Sequence, residues 1–161
     1  MNINPLDILI IVFVTATVII SLNNNFIINL KKTFSIFIAL ILSNLITKNL
    51  SEVIFYLNSR NDIFYLVTFL IILVLLSLLI SFIIDLIIEQ SNHISIDEGA
   101  DKFITAIASF IKGIIILILL IFIFDTTPID ENNKELIYKK IQNKSSLFEY
   151  LNDIKKILLK D

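Results

Sequence analysis

The sequence contains no cysteine and no tryptophan, and it has only two glycines, two prolines and one histidine. Without cysteine, the chain has no disulfides, no thiolate metal ligands and no thiol nucleophile. A two-histidine zinc helix needs a second histidine, and a phosphate-binding loop needs closely spaced glycines, whereas Gly99 and Gly113 lie far apart. The formal net charge of -2 offers no basic surface to nucleic acid. We therefore expect no catalytic residue, no metal site, no cofactor and no nucleic-acid partner.

Apolar sequence is what the chain has in abundance. Of its 161 residues, 57% are hydrophobic and 17% are charged, against roughly 45–50% and about 25% in an ordinary soluble domain. The run Ile63–Ile84 carries no charge, no glycine and no proline. It is long enough to cross a hydrocarbon core of about 30 Å, which takes roughly 20 apolar residues. The sequence therefore predicts an integral membrane protein, and enzymatic activity is not expected.

Four apolar stretches predict four transmembrane helices, at residues 6–22, 26–46, 64–88 and 103–124. Residues 1–128 would then form an all-α bundle, with a polar loop from Glu89 to Lys102. Asn4 is the predicted N-cap of the first helix, followed by Pro5 at its first position and by Asp7 in its first turn. The first stretch lacks a basic leader and a small-residue cleavage site, so we expect it to remain as an uncleaved span.

Residues 129–161 form a charged, amphipathic tail that is too polar to cross a membrane. Ser146 and Glu149 have the spacing of a capping box, so Ser146 is predicted to cap a helix running to about Leu159. Lys155 lies off the apolar face of this helix, which consists of Leu147, Tyr150, Leu151, Ile154 and Leu158. The membrane surface, the loop side of the bundle or a partner protein could cover that face. The acidic residues of the tail weaken its attraction to anionic headgroups, so docking on protein is favoured.

Small residues recur at spacings of four in every predicted span. Helices in lipid associate mainly by close packing through such residues, and residues four apart stack on one face. The stripes are Thr17 and Ser21, then Ser35, Ala39 and Ser43, then Ser77 and Ser81, and finally Thr105, Ser109 and Gly113. Helix packing is the favoured interpretation, and a polar conduit lined by the hydroxyl groups is the alternative.

Lys112 is the sharpest candidate for a functional side chain, because a lysine at a helix centre costs roughly 2.5–3.5 kcal/mol on insertion scales. It could bind a substrate anion or contact Asp85 or Asp101; otherwise it snorkels, its stem carrying the ammonium to the interface. Asp7 is interpreted as a helix-start residue rather than a proton carrier. The residue spacing around His93 does not support a hydrolytic constellation.

The sequence resembles the colicin V production protein family, small four-span proteins of the bacterial inner membrane. Asp7 opens the first span as the family's early aspartate does, and Ser21–Phe26, SLNNNF, is similar to a family turn of the type Gly-Leu-Arg-Arg-Gly-Phe. Asp101–Phe103, DKF, followed by Lys112-Gly113, resembles the start of the family's last span. Ser146 falls in a stretch that resembles a C-terminal family motif. The resemblance covers nearly the whole chain.

Several positions depart from the family pattern. The glycines and arginines of the turn are replaced by Ser21, Asn23, Asn24 and Asn25. Asn29 stands where an acidic residue usually follows the turn, and Thr105 and Ser109 replace glycines of the last span. Asn25 can still supply a positive φ to the turn, whereas an Arg–Glu pair in the first loop is not expected.

The resemblance implies a non-enzymatic accessory or scaffold protein of the inner membrane, with a role in colicin V (toxin) production or export and in envelope homeostasis. A small channel or transporter subunit is the alternative. Membrane lipid, a membrane or envelope protein and a second copy of the chain are the expected partners. The lysine count puts both termini inside. Some family members, however, look like this domain fused to a periplasmic protease, so both termini outside is favoured.

Overall fold

A computed structural model of the chain describes residues 4–55, 62–90, 98–127, 131–142 and 145–159. The described residues form α-helices and no strand, so the predicted all-α fold class is confirmed. In chain order the helices are α1 (Pro5–Ser21), α2 (Phe26–Phe55), α3 (Asp62–Gln90), α4 (Glu98–Thr126), α5 (Glu131–Gln142) and α6 (Ser146–Leu158).

Within the described part of the chain, three helices are long and apolar enough to cross a membrane, over Phe26–Ser51, Asp62–Ile88 and Glu98–Thr126. α1 is also apolar but has only 17 residues. At the helical rise per residue it is about 25 Å long, somewhat shorter than a hydrocarbon core of about 30 Å. Three long apolar helices and one shorter one therefore give the chain its membrane character.

The start of α1 agrees with its local prediction. Asn4 is extended, and its Oδ1 accepts a hydrogen bond from Leu6 N at 3.1 Å. Pro5 is the first helical residue, where its missing N–H costs nothing, and Asp7 lies in the first turn. The N-cap and the first turn of α1 are therefore confirmed.

All three long helices extend beyond the apolar stretches that predicted them, α2 and α4 by the most. α2 continues past Ile46 to its last residue, Phe55, and α4 begins at Glu98 instead of Phe103. A helix satisfies its own backbone hydrogen bonds, so it can continue where the side chains become polar. The loop predicted from Glu89 to Lys102 is wrong at both ends, because its first residues belong to α3 and its last residues to α4.

α4 is the central helix of the bundle. It packs against α2 and α1, and α2 packs in turn against α3, so α1 and α3 are the outer helices. Of the residues in the most apolar stretch of each helix, 44% are buried in α4, 33% in α2 and 11% in α3. Phe69 of α3 is fully buried, and its ring lies 4.6 Å from that of Phe122 on α4. The exposed apolar faces of α1 and α3 are thus the surface that lipid would cover.

The tail is part of this fold. α6 packs against α4 and α1, and α5 packs against α6. Leu151 of α6 and Leu159, which follows it, belong to the same apolar core as Ile118 of α4 and Ile10 of α1. The bundle itself therefore covers part of the apolar face of the tail.

The N-cap of α6 is Ser145, so the prediction of Ser146 is wrong by one residue. Ser145 Oγ accepts a hydrogen bond from Phe148 N at 3.1 Å, and Ser146 is the exposed first helical residue. Either serine could cap this helix locally, but only the Ser145 hydroxyl also donates to Asp7 Oδ1, at 2.5 Å. Glu149 consequently lies at the fourth helical position and is exposed.

The buried face of α6 is rotated from the predicted one. Leu151, Asn152 and Lys155 are buried, whereas Tyr150 and Ile154 are 67% and 40% exposed. The placement of Lys155 off the buried face is wrong, because its ammonium forms an ion pair at the end of α4. With this ion pair, α6 is oriented so that the charged residue Lys155 faces the bundle.

Candidate functional site

One cluster of polar side chains joins the turn between α1 and α2 to α4; we call Ser21, Asn29 and Lys112 the turn clasp. Asn29 is fully buried, and its Nδ2 donates to the Ser21 carbonyl at 2.9 Å. The same nitrogen donates to the carbonyls of Asn24 and Asn25 at 3.3 and 3.4 Å. The last carbonyls of a helix have no partner within it, so Asn29 satisfies acceptors around the end of α1.

Lys112 brings its ammonium to the same place. Its Nζ donates to Ser21 Oγ at 2.8 Å and to Asn29 Oδ1 at 3.4 Å. Both partners are neutral, but they lie at the C-terminal end of α1, where the helix dipole favours a positive charge. Lys112 thus holds the turn against α4 with a charge that the end of α1 stabilises.

Asp85 and Asp101, the acids considered as partners of Lys112, contact the beginning of α2. Asp85 of α3 pairs with Lys31, with 2.6 Å between its carboxylate oxygen and Nζ. Asp101 Oδ1 accepts a hydrogen bond from the backbone N–H of Phe26 at 3.1 Å. The two carboxylates therefore fix α2 from α3 and from α4, whereas the hydrogen bonds described for Lys112 go to Ser21 and Asn29.

The small-residue stripes differ in burial from helix to helix. Those of α2 and α4 are buried, at Ser35, Ala39, Ser43, Thr105, Ser109 and Gly113. Outside the turn clasp, the small residues of α1 and α3 are only half-buried, at Thr17, Ser77 and Ser81. Hydroxyls of three stripes donate to carbonyls of their own helices, as Thr17 does to Phe13 at 2.7 Å. Such bonds fit the packing interpretation.

At Gly113, α4 packs directly against α1. A β-carbon at this position would lie 3.5 Å from both Thr17 Oγ1 and Val14 Cα. Those distances are ordinary van der Waals contacts, so there is room for one carbon but not for a branched side chain.

Gly113→Leu is therefore expected to lower the free energy of unfolding by about 1–3 kcal/mol, because the added atoms press on α1. Gly113→Ala is the matched control and should be tolerated, since its β-carbon meets Thr17 without overlap. Unfolding of the purified variants in detergent measures both values. Equal effects of the two substitutions would contradict close packing at Gly113.

A second polar cluster holds the tail at the other end of the bundle; we call Asp125, Tyr138 and Lys155 the tail latch. Asp125, near the end of α4, forms an ion pair with Lys155 of α6 and accepts a hydrogen bond from the Tyr138 hydroxyl of α5. Lys134 Nζ donates to the Asp125 carbonyl at 2.5 Å. The side chains of Lys155 and Asp125 are 8% and 25% exposed. A single acidic residue thus contacts both tail helices.

Two further contacts tie the tail to α1 and α2. Asp7 Oδ1 accepts the hydrogen bond from Ser145, and Asn44 Nδ2 donates to the Leu159 carbonyl at 3.0 Å. Asn44 Oδ1 accepts a hydrogen bond from the Tyr65 hydroxyl of α3 at 3.2 Å. Asp7 lies in the first turn of α1, and Ser21 of the turn clasp is its last residue. The tail contacts and the turn clasp therefore lie at opposite ends of α1.

The sequence indicated Asp7 and Lys112, but it gave no partner for Asp7, and the partners it suggested for Lys112 differ from Ser21 and Asn29. It assigned no role to Asn29, Asn44 or Asp125. A buried polar residue inside an apolar stretch was the available signal for the first two. The loop around His93 lies outside the described residues. Among the described residues, no three histidine, aspartate or glutamate side chains come together as a metal site requires.

The profile described as "Colicin V production protein" matches the chain over residues 6–156, from the start of α1 into α6. The chain belongs to the colicin V production protein family. The resemblance drawn from the sequence is thereby confirmed, and the match includes both tail helices as well as the bundle. No curated protein and no solved structure matches the chain.

Proposed function

We propose that this member of the colicin V production family is a non-enzymatic accessory or scaffold protein of the bacterial inner membrane. It would act in colicin V (toxin) production or export and in envelope homeostasis. The family match supports the toxin-related role, and the long apolar helices support a membrane location. The tail latch is the observation that carries the scaffold role, because it holds a charged surface in a fixed position on a membrane bundle.

The fixed surface is the outward face of α6, where Glu149, Asp153 and Lys156 are exposed. Its opposite face is held by Lys155 and by the apolar core. A scaffold needs such a surface, since a partner that binds a preordered element loses less conformational entropy than one that must order it. A membrane or envelope protein of complementary charge would dock there.

Truncation after Asn143 should leave membrane insertion intact and abolish function, because it removes α6 and keeps every apolar helix. Carbonate extraction of membranes measures insertion, and complementation of a strain that lacks the protein measures function. The double variant Asp153→Lys, Lys156→Glu is the control for partner binding, since it reverses an exposed ion pair and leaves the tail latch unchanged. It should lose complementation at unchanged stability. Full activity of the truncated chain would place the function in the bundle instead.

The proposal includes α1 as a fourth span and both termini outside. Since α1 separates the tail latch from the turn clasp, Glu149→Cys and Asn23→Cys should lie on opposite sides of the membrane. Both positions are exposed, and the natural chain has no cysteine. A membrane-impermeant maleimide should label Glu149→Cys from the periplasm and Asn23→Cys only after the membrane is opened. Labelling of both from one side would exclude a spanning α1.

A small channel or transporter subunit is the second candidate. One observation favours it: the hydroxyls of Ser35, Thr105 and Ser109 are buried without a hydrogen-bond partner among the described residues. Polar groups of that kind suit the wall of a conduit. Purified protein in liposomes separates the candidates, since flux above that of empty vesicles supports a pore and its absence supports the scaffold.

A further inference from the structure

α6 has three faces, and only one of them packs on the bundle. The packed face carries Leu151, Asn152 and Lys155. The charged face carries Glu149, Asp153 and Lys156. The third face is apolar yet exposed, and we call it the interfacial stripe; its residues are Tyr150, 67% exposed, Ile154, 40%, and Ile157, 77%. Spacings of four and three place these residues along one line of the helix.

The contacts of α6 place it beside the ends of the apolar helices α1 and α4. Lys155 pairs with Asp125 near the end of α4, and Ser145 donates to Asp7 in the first turn of α1. Both acids lie where an apolar helix ends, which is where such a helix leaves the hydrocarbon. The interfacial stripe therefore lies at the level of the membrane boundary.

The surroundings of the tail are apolar as well. A groove of about 240 Å³ opens between the tail and the bundle, and it is lined almost entirely by apolar side chains of α1, α4, α5 and α6. Two of them, Leu9 of α1 and Leu120 of α4, are 62% and 50% exposed. Lipid that covers these outward-facing side chains also reaches the tail helices beside them.

We propose that Tyr150, Ile154 and Ile157 lie in the lipid–water interface and are covered by lipid acyl chains. The burial of apolar area drives this contact, because Glu149 and Asp153 oppose attraction to anionic headgroups. The tyrosine suits the position, since its ring combines an apolar body with a polar hydroxyl. The interfacial stripe and the charged face are different faces of α6, so lipid contact at the stripe does not depend on which partner protein binds the charged face.

The absence of tryptophan makes a direct test available, because one substitution introduces the sole tryptophan of the chain. Ile157→Trp and Tyr150→Trp report on the stripe, and Asp153→Trp reports on the charged face of the same helix. The variants are reconstituted in vesicles of phosphatidylcholine and phosphatidylglycerol, with or without bromine on the acyl chains. Both stripe variants should lose most of their fluorescence to brominated lipid and little to aqueous iodide. Asp153→Trp should show the reverse.

Two results would overturn the proposal. Quenching of the stripe variants by iodide, to the extent seen in Asp153→Trp, would place the stripe in water. Shielding from both quenchers would mean that protein, either a second copy or a partner, covers it. If Ile157→Trp and Tyr150→Trp show the same quenching, misfolding of one of the two variants does not explain the result.

Discussion

Lys155→Ala is expected to lower the free energy of unfolding by about 3 kcal/mol, because it leaves the Asp125 carboxylate without its cation. Removing one partner of a fully buried ion pair costs about 3–5 kcal/mol. The Asp125 side chain is 25% exposed, so water reaches it in part and the lower end of the range applies. The Tyr138 hydroxyl still donates to the carboxylate but cannot neutralise it. Unfolding in detergent measures the change.

Lys156→Ala is the matched control on the same helix. Its ammonium lies 3.4 Å from Asp153, and both side chains are exposed. Exposed pairs of this kind contribute about 0–1 kcal/mol. The double variant Asp125→Leu, Lys155→Met should recover stability, since apolar replacement of a whole buried pair is often neutral or stabilising. Equal losses in Lys155→Ala and Lys156→Ala would show that the tail latch does not hold α6.

Asn29→Leu is expected to cost on the order of 2 kcal/mol, because a lost hydrogen bond costs about 0.5–1.5 kcal/mol and one to a charged group about 1.5–3 kcal/mol. The substitution removes the donor to the Ser21 carbonyl and one acceptor of Lys112. The Ser21 carbonyl keeps the hydrogen bond from Asn24 N at 3.0 Å, and Lys112 keeps its hydrogen bond to Ser21 Oγ. Leucine has the same number of side-chain heavy atoms as asparagine and the same branching, so the substitution leaves no cavity that would explain the effect. The same detergent unfolding experiment measures it.

Asn23→Leu makes the same chemical change in the same turn at an exposed position. It should alter the free energy of unfolding by less than about 0.5 kcal/mol, as surface substitutions usually do. If the two asparagines behaved alike, the turn clasp would have no role in holding α1 and α2 to α4.

The features that the sequence predicted correctly are those that neighbouring residues determine. The start of α1 is one example, because an N-cap acts on the backbone two or three residues away, as Asn4 does on Leu6. The apolar helices are another, since length and composition alone make them candidates to cross a membrane. The family resemblance likewise rested on short local segments, and the match over residues 6–156 confirms it.

The features that the sequence did not predict depend on residues far apart in the chain. Ser145 rather than Ser146 caps α6 because its hydroxyl reaches Asp7, 138 positions earlier. The rotation of α6 follows from a pair between Lys155 and Asp125, and helical periodicity alone assigns a lysine to the outside. Such partners become visible only when the fold brings the two elements together.

Cross-linking of Asp7→Cys with Ser145→Cys tests most directly whether the tail is docked on the bundle. The natural chain has no cysteine, and the two native side-chain oxygens lie 2.5 Å apart. In native membranes, a short bifunctional thiol reagent should link the pair within one chain, whereas Asp7→Cys with Ile157→Cys should stay unlinked, because Ile157 is exposed and lies about three helical turns beyond Ser145. A docked tail predicts this intramolecular product, and a pair that remains unlinked or links only between chains would contradict it.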